Sequence, residues 1–79
     1  MDSLAQRLRF LRKNTGLSLR ELSERSGVSL SFLSDLERSG RNGSRVVSPS
    51  VETLEAIAEV YGLTIGEALV NVRIRPEDL

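Results

Sequence analysis

The side chains best suited to chemistry in this sequence are guanidinium groups and serine hydroxyls. The 79 residues include no histidine and no cysteine, so the commonest general base, histidine-dependent triads and thiolate metal sites are absent together. Residues 1–47 carry nine basic and five acidic side chains, a net charge of +4, and residues 48–79 carry two and six, a net charge of −4. The basic half predicts a polyanionic partner. The alternative is that these charges only solvate helix surfaces.

The acidic residues do not suggest an enzyme. Each Asp and Glu is explained as a helix cap or a solvated charge, so no carboxylate pair stands out as acid and base. We therefore expect a non-enzymatic domain without a metal site or a cofactor. No apolar run approaches the roughly 20 residues that span a bilayer, and the first ten residues lack the apolar stretch of a signal peptide. These features predict a cytoplasmic protein with no membrane contact.

Repeated helix-start and helix-stop signals predict an all-α fold of five short helices in one domain. The predicted helices cover about residues 4–15, 19–26, 30–39, 49–61 and 65–69. Serine or threonine caps each start, with a reciprocal Glu or Gln three residues later in three of them. The predicted caps are Ser3, Ser18, Ser29, Ser48 and Thr64. Pro49 would then occupy the first position of the fourth helix, and its core face would include Val51, Leu54, Ile57, Ala58 and Tyr61.

Two segments lie outside these helices. Residues 40–47 combine glycines, Asn42 and two arginines without periodicity, which predicts an exposed loop. In the tail, Val70, Val72 and Ile74 alternate with polar residues, which predicts a short extended arm. A lone strand needs a partner, so the arm either pairs with a second chain or is a flexible exit. We therefore divide the chain into a domain over 1–69 and an arm or linker over 70–79.

The second and third predicted helices are joined by Gly27-Val28-Ser29, the arrangement of a helix-turn-helix. Gly27 can adopt the positive φ that reverses the chain within a few residues. Val28 can seat the turn on the core, and Ser29 can cap the next helix. The third helix would then project its amino-terminal end from the body. Many helical proteins contain such corners without binding anything, so this feature alone leaves function open.

The segment GLSLRELSERSGVSLSFLSDLERSG, followed by PSVETLEAIAEVYGL, resembles the lambda-repressor-like, Xre/Cro-type helix-turn-helix domains of bacteria and phages. The resemblance covers about residues 4–69. It implies a compact five-helix bundle that binds a palindromic operator as a homodimer, with its third helix in the major groove of double-stranded DNA. It also implies a transcriptional regulator, most simply a repressor, whose subunits join through the fifth helix and the tail.

The resemblance also implies roles for individual residues. Base contacts fall on Ser29, Leu30, Ser31 and Asp35, a set without the Arg, Gln or Asn that make bidentate base contacts. Leu19 replaces the glutamine that typically holds a phosphate, and Ser18 and Arg20 are the candidates to compensate. The remaining candidates for phosphate or minor-groove contact are Arg38, Arg41, Asn42 and Arg45. The alternative for Asp35 is a surface carboxylate that faces Arg38.

A further pair, Arg12 and Glu37, matches family positions that link the first helix to the third. We expect this pair to hold the recognition helix in its orientation.

The same sequence features are compatible with other functions. An antitoxin or a restriction-modification controller uses the same fold at about this size. A module that binds another protein would use the acidic fourth helix, with Glu52, Glu55 and Glu59, or the C-terminal arm.

Overall fold

Five α-helices joined by short connections make up the structure, a computed structural model that describes residues 4–39 and 47–70. In chain order they are α1 (Leu4–Thr15), α2 (Leu19–Ser26), α3 (Leu30–Glu37), α4 (Val51–Val60) and α5 (Ile65–Ala68). The described part of the chain contains no strand, and the predicted all-α five-helix fold is confirmed. Nothing in the two described stretches is a helix both long and apolar enough to cross a membrane.

The helices begin where short polar side chains can satisfy the free amides of a first turn. The Ser18 hydroxyl accepts a hydrogen bond from the Glu21 amide, and the Glu21 carboxylate accepts one from the Ser18 amide. Thr64 and Glu67 form the same reciprocal arrangement at the start of α5. Two of the three predicted capping boxes are therefore present, and their carboxylates also suit the positive end of the helix dipole. Ser3, the predicted cap of the third box, lies outside the described residues.

The prediction for the start of α4 is wrong by two residues. Ser50, not Ser48, is the N-cap, and its hydroxyl accepts a hydrogen bond from the Thr53 amide at 3.1 Å. Pro49 precedes the helix, and its side chain is fully buried. Packing of this ring fixes the approach to the helix and leaves Ser50 in the extended conformation of a cap. The helix consequently turns Val51 outward, 55% exposed, although it was predicted on the core face.

The third helix is shorter than predicted. It ends at Glu37, with Arg38 as its C-cap, and Ser39 lies in the following turn. The Arg38 and Ser39 amides donate to carbonyls three residues back, at 3.2 Å, which tightens the final turn. The predicted stop at Gly40, the loop residues 40–46 and most of the predicted arm, 71–79, lie outside the described residues.

The core draws on every helix. Its main cluster lies among the first four helices and contains Leu4, Leu8, Leu22, Leu33, Leu36, Leu54 and Ile57. A smaller cluster, Leu11 with Ala58 and Ala68, joins α1 and α4 to α5. Burial of each leucine or isoleucine contributes about 1.5–3 kcal/mol relative to exposure. Since α3 supplies two leucines that are 1% exposed, the rest of the domain holds that helix rigidly from one side.

Candidate nucleic-acid interface

The turn between α2 and α3 is built by local hydrogen bonds. Gly27 has a φ of 77°, in the left-handed region that other residues rarely adopt, and its amide donates to the Ser23 carbonyl. The Ser23 hydroxyl donates to the Val28 carbonyl at 2.6 Å, and the half-buried Val28 packs against the core. The Ser29 hydroxyl then accepts from the Phe32 amide and starts α3. These contacts set the angle at which α3 leaves α2.

One side of α3 faces the core and the other faces solvent. Leu33, Leu36 and Glu37 are buried, and Phe32 packs partly against the main cluster. The exposed positions on this element, with its N-cap and C-cap, are Ser29, Leu30, Ser31, Asp35 and Arg38. All four residues predicted to contact bases are therefore exposed on one short helix and its cap. The expectation that this amino-terminal end projects from the body agrees with their exposure.

The start of α2 carries the residues expected to compensate for a missing glutamine. Arg20 is exposed, and Leu19 packs partly against the core. The Ser18 hydroxyl accepts a hydrogen bond from the Glu21 amide, and its single proton can be donated either to the Glu21 carboxylate or to a phosphate oxygen. The capping arrangement lowers the pKa of Glu21, through hydrogen bonds from the amide and hydroxyl of Ser18. A carboxylate thus lies at the same helix start and opposes the attraction of that helix end for an anion.

Arg12 and Glu37 form a two-point ion pair between α1 and α3. Nε of Arg12 donates to Oε2 of Glu37 at 2.8 Å, and Nη2 donates to Oε1 at 2.9 Å. Nη1 donates to the Leu17 carbonyl at 2.9 Å. The side chains are only 14% and 7% exposed, and the hydrogen bonds to Glu37 raise the pKa of Arg12. One guanidinium therefore connects α1, the α1–α2 turn and α3, and the expected link between the first and third helices is present.

Tyr61 lies close to this pair. Its hydroxyl oxygen is buried and has no hydrogen-bond partner among the described residues. Burial raises the pKa of Tyr61 to about 12, and the nearby negative charge of Glu37 acts in the same direction. Sequence reasoning assigned Tyr61 to the core and gave no sign that it would share its surroundings with charged side chains.

A second ion pair is much weaker. Nη2 of Arg38 lies 3.4 Å from Oδ1 of Asp35, with the two side chains 66% and 53% exposed. Such exposed pairs contribute about 0–1 kcal/mol. Asp35 is thus a surface carboxylate that faces Arg38, as the alternative interpretation predicted. The weakness of the contact leaves both side chains free to exchange it for another partner.

A hydrogen bond joins the two ends of the connection that follows α3. The Val47 amide donates to the Ser39 hydroxyl at 2.8 Å, which joins the residues on either side of segment 40–46. Arg41, Asn42 and Arg45 belong to that segment and lie outside the described residues. Their predicted contacts with DNA therefore remain predictions, but the segment is attached beside the end of α3.

Sequence reasoning missed the role of Arg7. Its Nε donates to the Ala68 carbonyl at 2.8 Å, which satisfies an acceptor at the end of α5. Its guanidinium carbon also lies 5.4 Å from the centre of the Phe10 ring, within cation–π range. The spacing of Arg7 and Phe10 hints at the ring contact, but nothing local indicates a bond to a residue 61 positions away.

Residues 3–70 match the family model described as a helix-turn-helix domain. The HTH-type transcriptional regulator DdrOP3 of Deinococcus deserti is 41% identical over 69 residues, which cover 87% of this chain and 49% of that protein. The immunity repressor protein of Bacillus phage phi105 is 35% identical over 63 residues, which cover 80% of this chain and 40% of the repressor.

Among solved structures, one of the biofilm master regulator SinR in complex with DNA is similar. The TM-score is 0.68 at 35% identity, and the match covers 82% of this chain and 95% of the SinR chain. The present chain spans about half the length of the curated relatives it matches.

Proposed function

Since this chain belongs to the helix-turn-helix domain family, we propose that it binds double-stranded DNA sequence-specifically as the DNA-binding part of a transcriptional regulator, most simply a repressor. The observation that carries this proposal is the exposed amino-terminal end of α3, held rigidly by a buried ion pair and two buried leucines. The similarity to SinR bound to DNA, and to regulators and a repressor, supports it.

In this proposal, the first turn of α3 enters the major groove. Ser29, Leu30 and Ser31 face base edges there, and Asp35 lies about one turn further along the helix. Ser31 can donate or accept a hydrogen bond, and Asp35 can accept one from cytosine N4. Arg38 can leave Asp35 and contact a phosphate. The lost contact costs little free energy, because it is exposed and long.

Phosphates on either side of the groove are held by hydroxyl and guanidinium groups. Ser18 and Arg20 contribute from the start of α2, and Arg38 contributes from the end of α3. Arg41, Asn42 and Arg45 follow in the attached segment, and an arginine there enters the minor groove and senses its width. The Arg12–Glu37 pair makes no base contact in this scheme and acts by fixing the orientation of α3.

The wider assignment follows from the same proposal. The protein acts in the cytoplasm, without enzymatic activity, as a homodimer on a palindromic operator whose half-sites lie about one helical turn apart. The segment 70–79 contributes to the subunit contact or binds a second protein.

Selection of bound sites from random DNA is the direct test, because it reports binding, half-site spacing and symmetry together. Two half-sites, one helical turn apart, are the expected result. A selection that recovers no enriched sequence, with the folded protein at low salt, would refute the proposal. A protein-binding role for the exposed acidic side of α4, with Glu52, Glu55 and Glu59, would then be favoured.

The salt dependence of binding tests the phosphate contacts. If each subunit of a dimer neutralises about four phosphates, the slope of log K against log salt is near −7. Arg20→Ala should make the slope less negative by about two units per dimer, one for each lost contact. Arg25→Ala is the matched control, because it removes the same charge from the exposed last turn of the same helix. Equal slopes for the two variants would argue against the phosphate role of Arg20.

A regulator, an antitoxin and a restriction-modification controller make the same contact with DNA. Copurification of a toxin, or a neighbouring restriction gene, would assign the protein to one of those alternatives.

A further inference from the structure

Leu30 is an exposed leucine in the first turn of α3. It is 41% exposed, and it is not one of the buried residues that form the core. The apolar residues on either side of it behave differently, since Val28 and Phe32 both pack against the main cluster. Burial of a leucine contributes stability only when it loses contact with water. Leu30 therefore leaves a large part of its apolar surface in contact with water.

The neighbours of Leu30 on the solvent side are polar. Ser29 and Ser31 are exposed on either side of it, and the half-buried Ser34 follows one turn later. The Ser29 cap and the buried leucines of α3 hold the backbone of this turn in place. The rigid amino-terminal end of α3 thus presents the apolar side chain of Leu30 between polar residues.

In the major groove, the hydrogen-bonding groups of the base edges offer nothing to a leucine. The apolar feature of these edges is the methyl group on C5 of thymine. Cytosine methylated at C5 carries the same group at the same position. A side chain that can neither donate nor accept a hydrogen bond therefore distinguishes pyrimidines by the presence of this methyl group.

We infer that Leu30 recognises the C5-methyl group of a pyrimidine in each half-site, so that binding depends on the presence of this methyl group at one base position. This inference rests on the proposed function, because it requires α3 to lie in the major groove. Removal of one buried methyl group should weaken binding about fourfold per half-site, equivalent to about 0.8 kcal/mol. Thymine and 5-methylcytosine are the two sources of this group.

The experiment uses the selected operator and replaces each thymine in turn by deoxyuridine, which lacks only the methyl group. We expect one position per half-site where the replacement weakens binding about fourfold, with little effect elsewhere. In a second arm, cytosine and 5-methylcytosine are compared at that position, and the methylated base should bind about fourfold more tightly. The first arm identifies thymine and the second identifies methylcytosine as a source of the methyl group.

The same DNA series is then measured with Leu30→Ala, which retains a good helix former at an exposed position. This variant should lose the fourfold dependence in both arms while it remains folded. Ser31→Ala is the matched control and should retain the dependence. Equal affinity for thymine and deoxyuridine at every position, or a dependence that survives Leu30→Ala, would overturn the inference. Those results leave DNA binding intact, whereas failure to bind any DNA would refute the proposed function itself.

Discussion

Replacement of Glu37 by glutamine tests whether the buried ion pair holds α1 and α3 together. In the native protein the carboxylate accepts two hydrogen bonds from Arg12, at 2.8 and 2.9 Å. Glutamine keeps the size of the side chain but removes its charge, and its amide group faces a guanidinium that can only donate. Removal of one partner from a buried pair costs about 3–5 kcal/mol, because the other charge remains desolvated. Since Arg12 retains 14% exposure, we expect the lower end, about 3 kcal/mol.

Urea denaturation measures this loss. A domain of this length has a free energy of unfolding of about 4–12 kcal/mol in total, so the variant loses a quarter or more of its stability. With an m-value of about 1 kcal/mol/M for a small domain, the unfolding midpoint should fall by about 3 M. The matched control is Asp35→Asn, which also removes a carboxylate beside an arginine on α3. That pair is more than half exposed, so its loss should cost about 0–1 kcal/mol.

The result that refutes this reasoning is an equal loss of stability in the two variants. A double variant, Arg12→Met with Glu37→Leu, then separates stability from orientation. Apolar replacement of both partners of a buried pair is often neutral or stabilising, so this variant should recover most of the lost free energy. If the pair orients α3, the recovered protein should still bind its operator less tightly than the native protein. Native affinity in the double variant would restrict the pair to a stabilising role.

Gly27→Ala should cost about 1–2 kcal/mol through its positive φ alone, since no atom lies within 4 Å of the added methyl group. Gly27→Asn should cost less, and equal melting temperatures for the two variants would contradict this. The single tyrosine, Tyr61, should titrate near pH 12 by its absorbance in the folded protein. Because burial favours the protonated hydroxyl, its contribution to the free energy of unfolding should be complete below pH 10 and lost as the pH rises toward about 12. Titration of Tyr61 near pH 10 would instead place its hydroxyl in water. The pKa values of Glu21 and Glu67 are lowered by their capping hydrogen bonds. The stability that they add should therefore be present above pH 4.5 and lost as the pH falls below it. In the double variant Glu21→Gln with Glu67→Gln, the urea midpoint should depend less on pH in this acid range. The same pH dependence as in the native protein would contradict this assignment.

The helix boundaries show how far local chemistry determines this fold. A capping box is completed within four residues, so its partners can be recognised without knowing what packs around them. The predicted boxes at Ser18 and Thr64 are confirmed, and Gly27 has the predicted positive φ. The prediction for the start of α4 was wrong because serine is a good cap and both Ser48 and Ser50 precede the helix. The choice between them is decided by burial of Pro49 in the tertiary structure.

In the candidate site, too, some features follow from local sequence and others depend on residues far apart in the chain. Exposure of Leu30 and Ser31 follows from the helical period, because the buried leucines of α3 occupy the opposite side. The pair between Arg12 and Glu37 joins residues 25 positions apart, and it could be expected only from the resemblance to a family.

The sequence by itself determined the five helices, the caps at Ser18, Ser29 and Thr64, and the polar side of α3, because these depend on contacts within one or two turns. The tertiary structure alone decided that Arg7 binds the end of α5, that Tyr61 is buried beside an ion pair, and that Val51 is exposed. These outcomes depend on the angles at which helices pack, and such angles are set by the fit of the whole core rather than by local sequence.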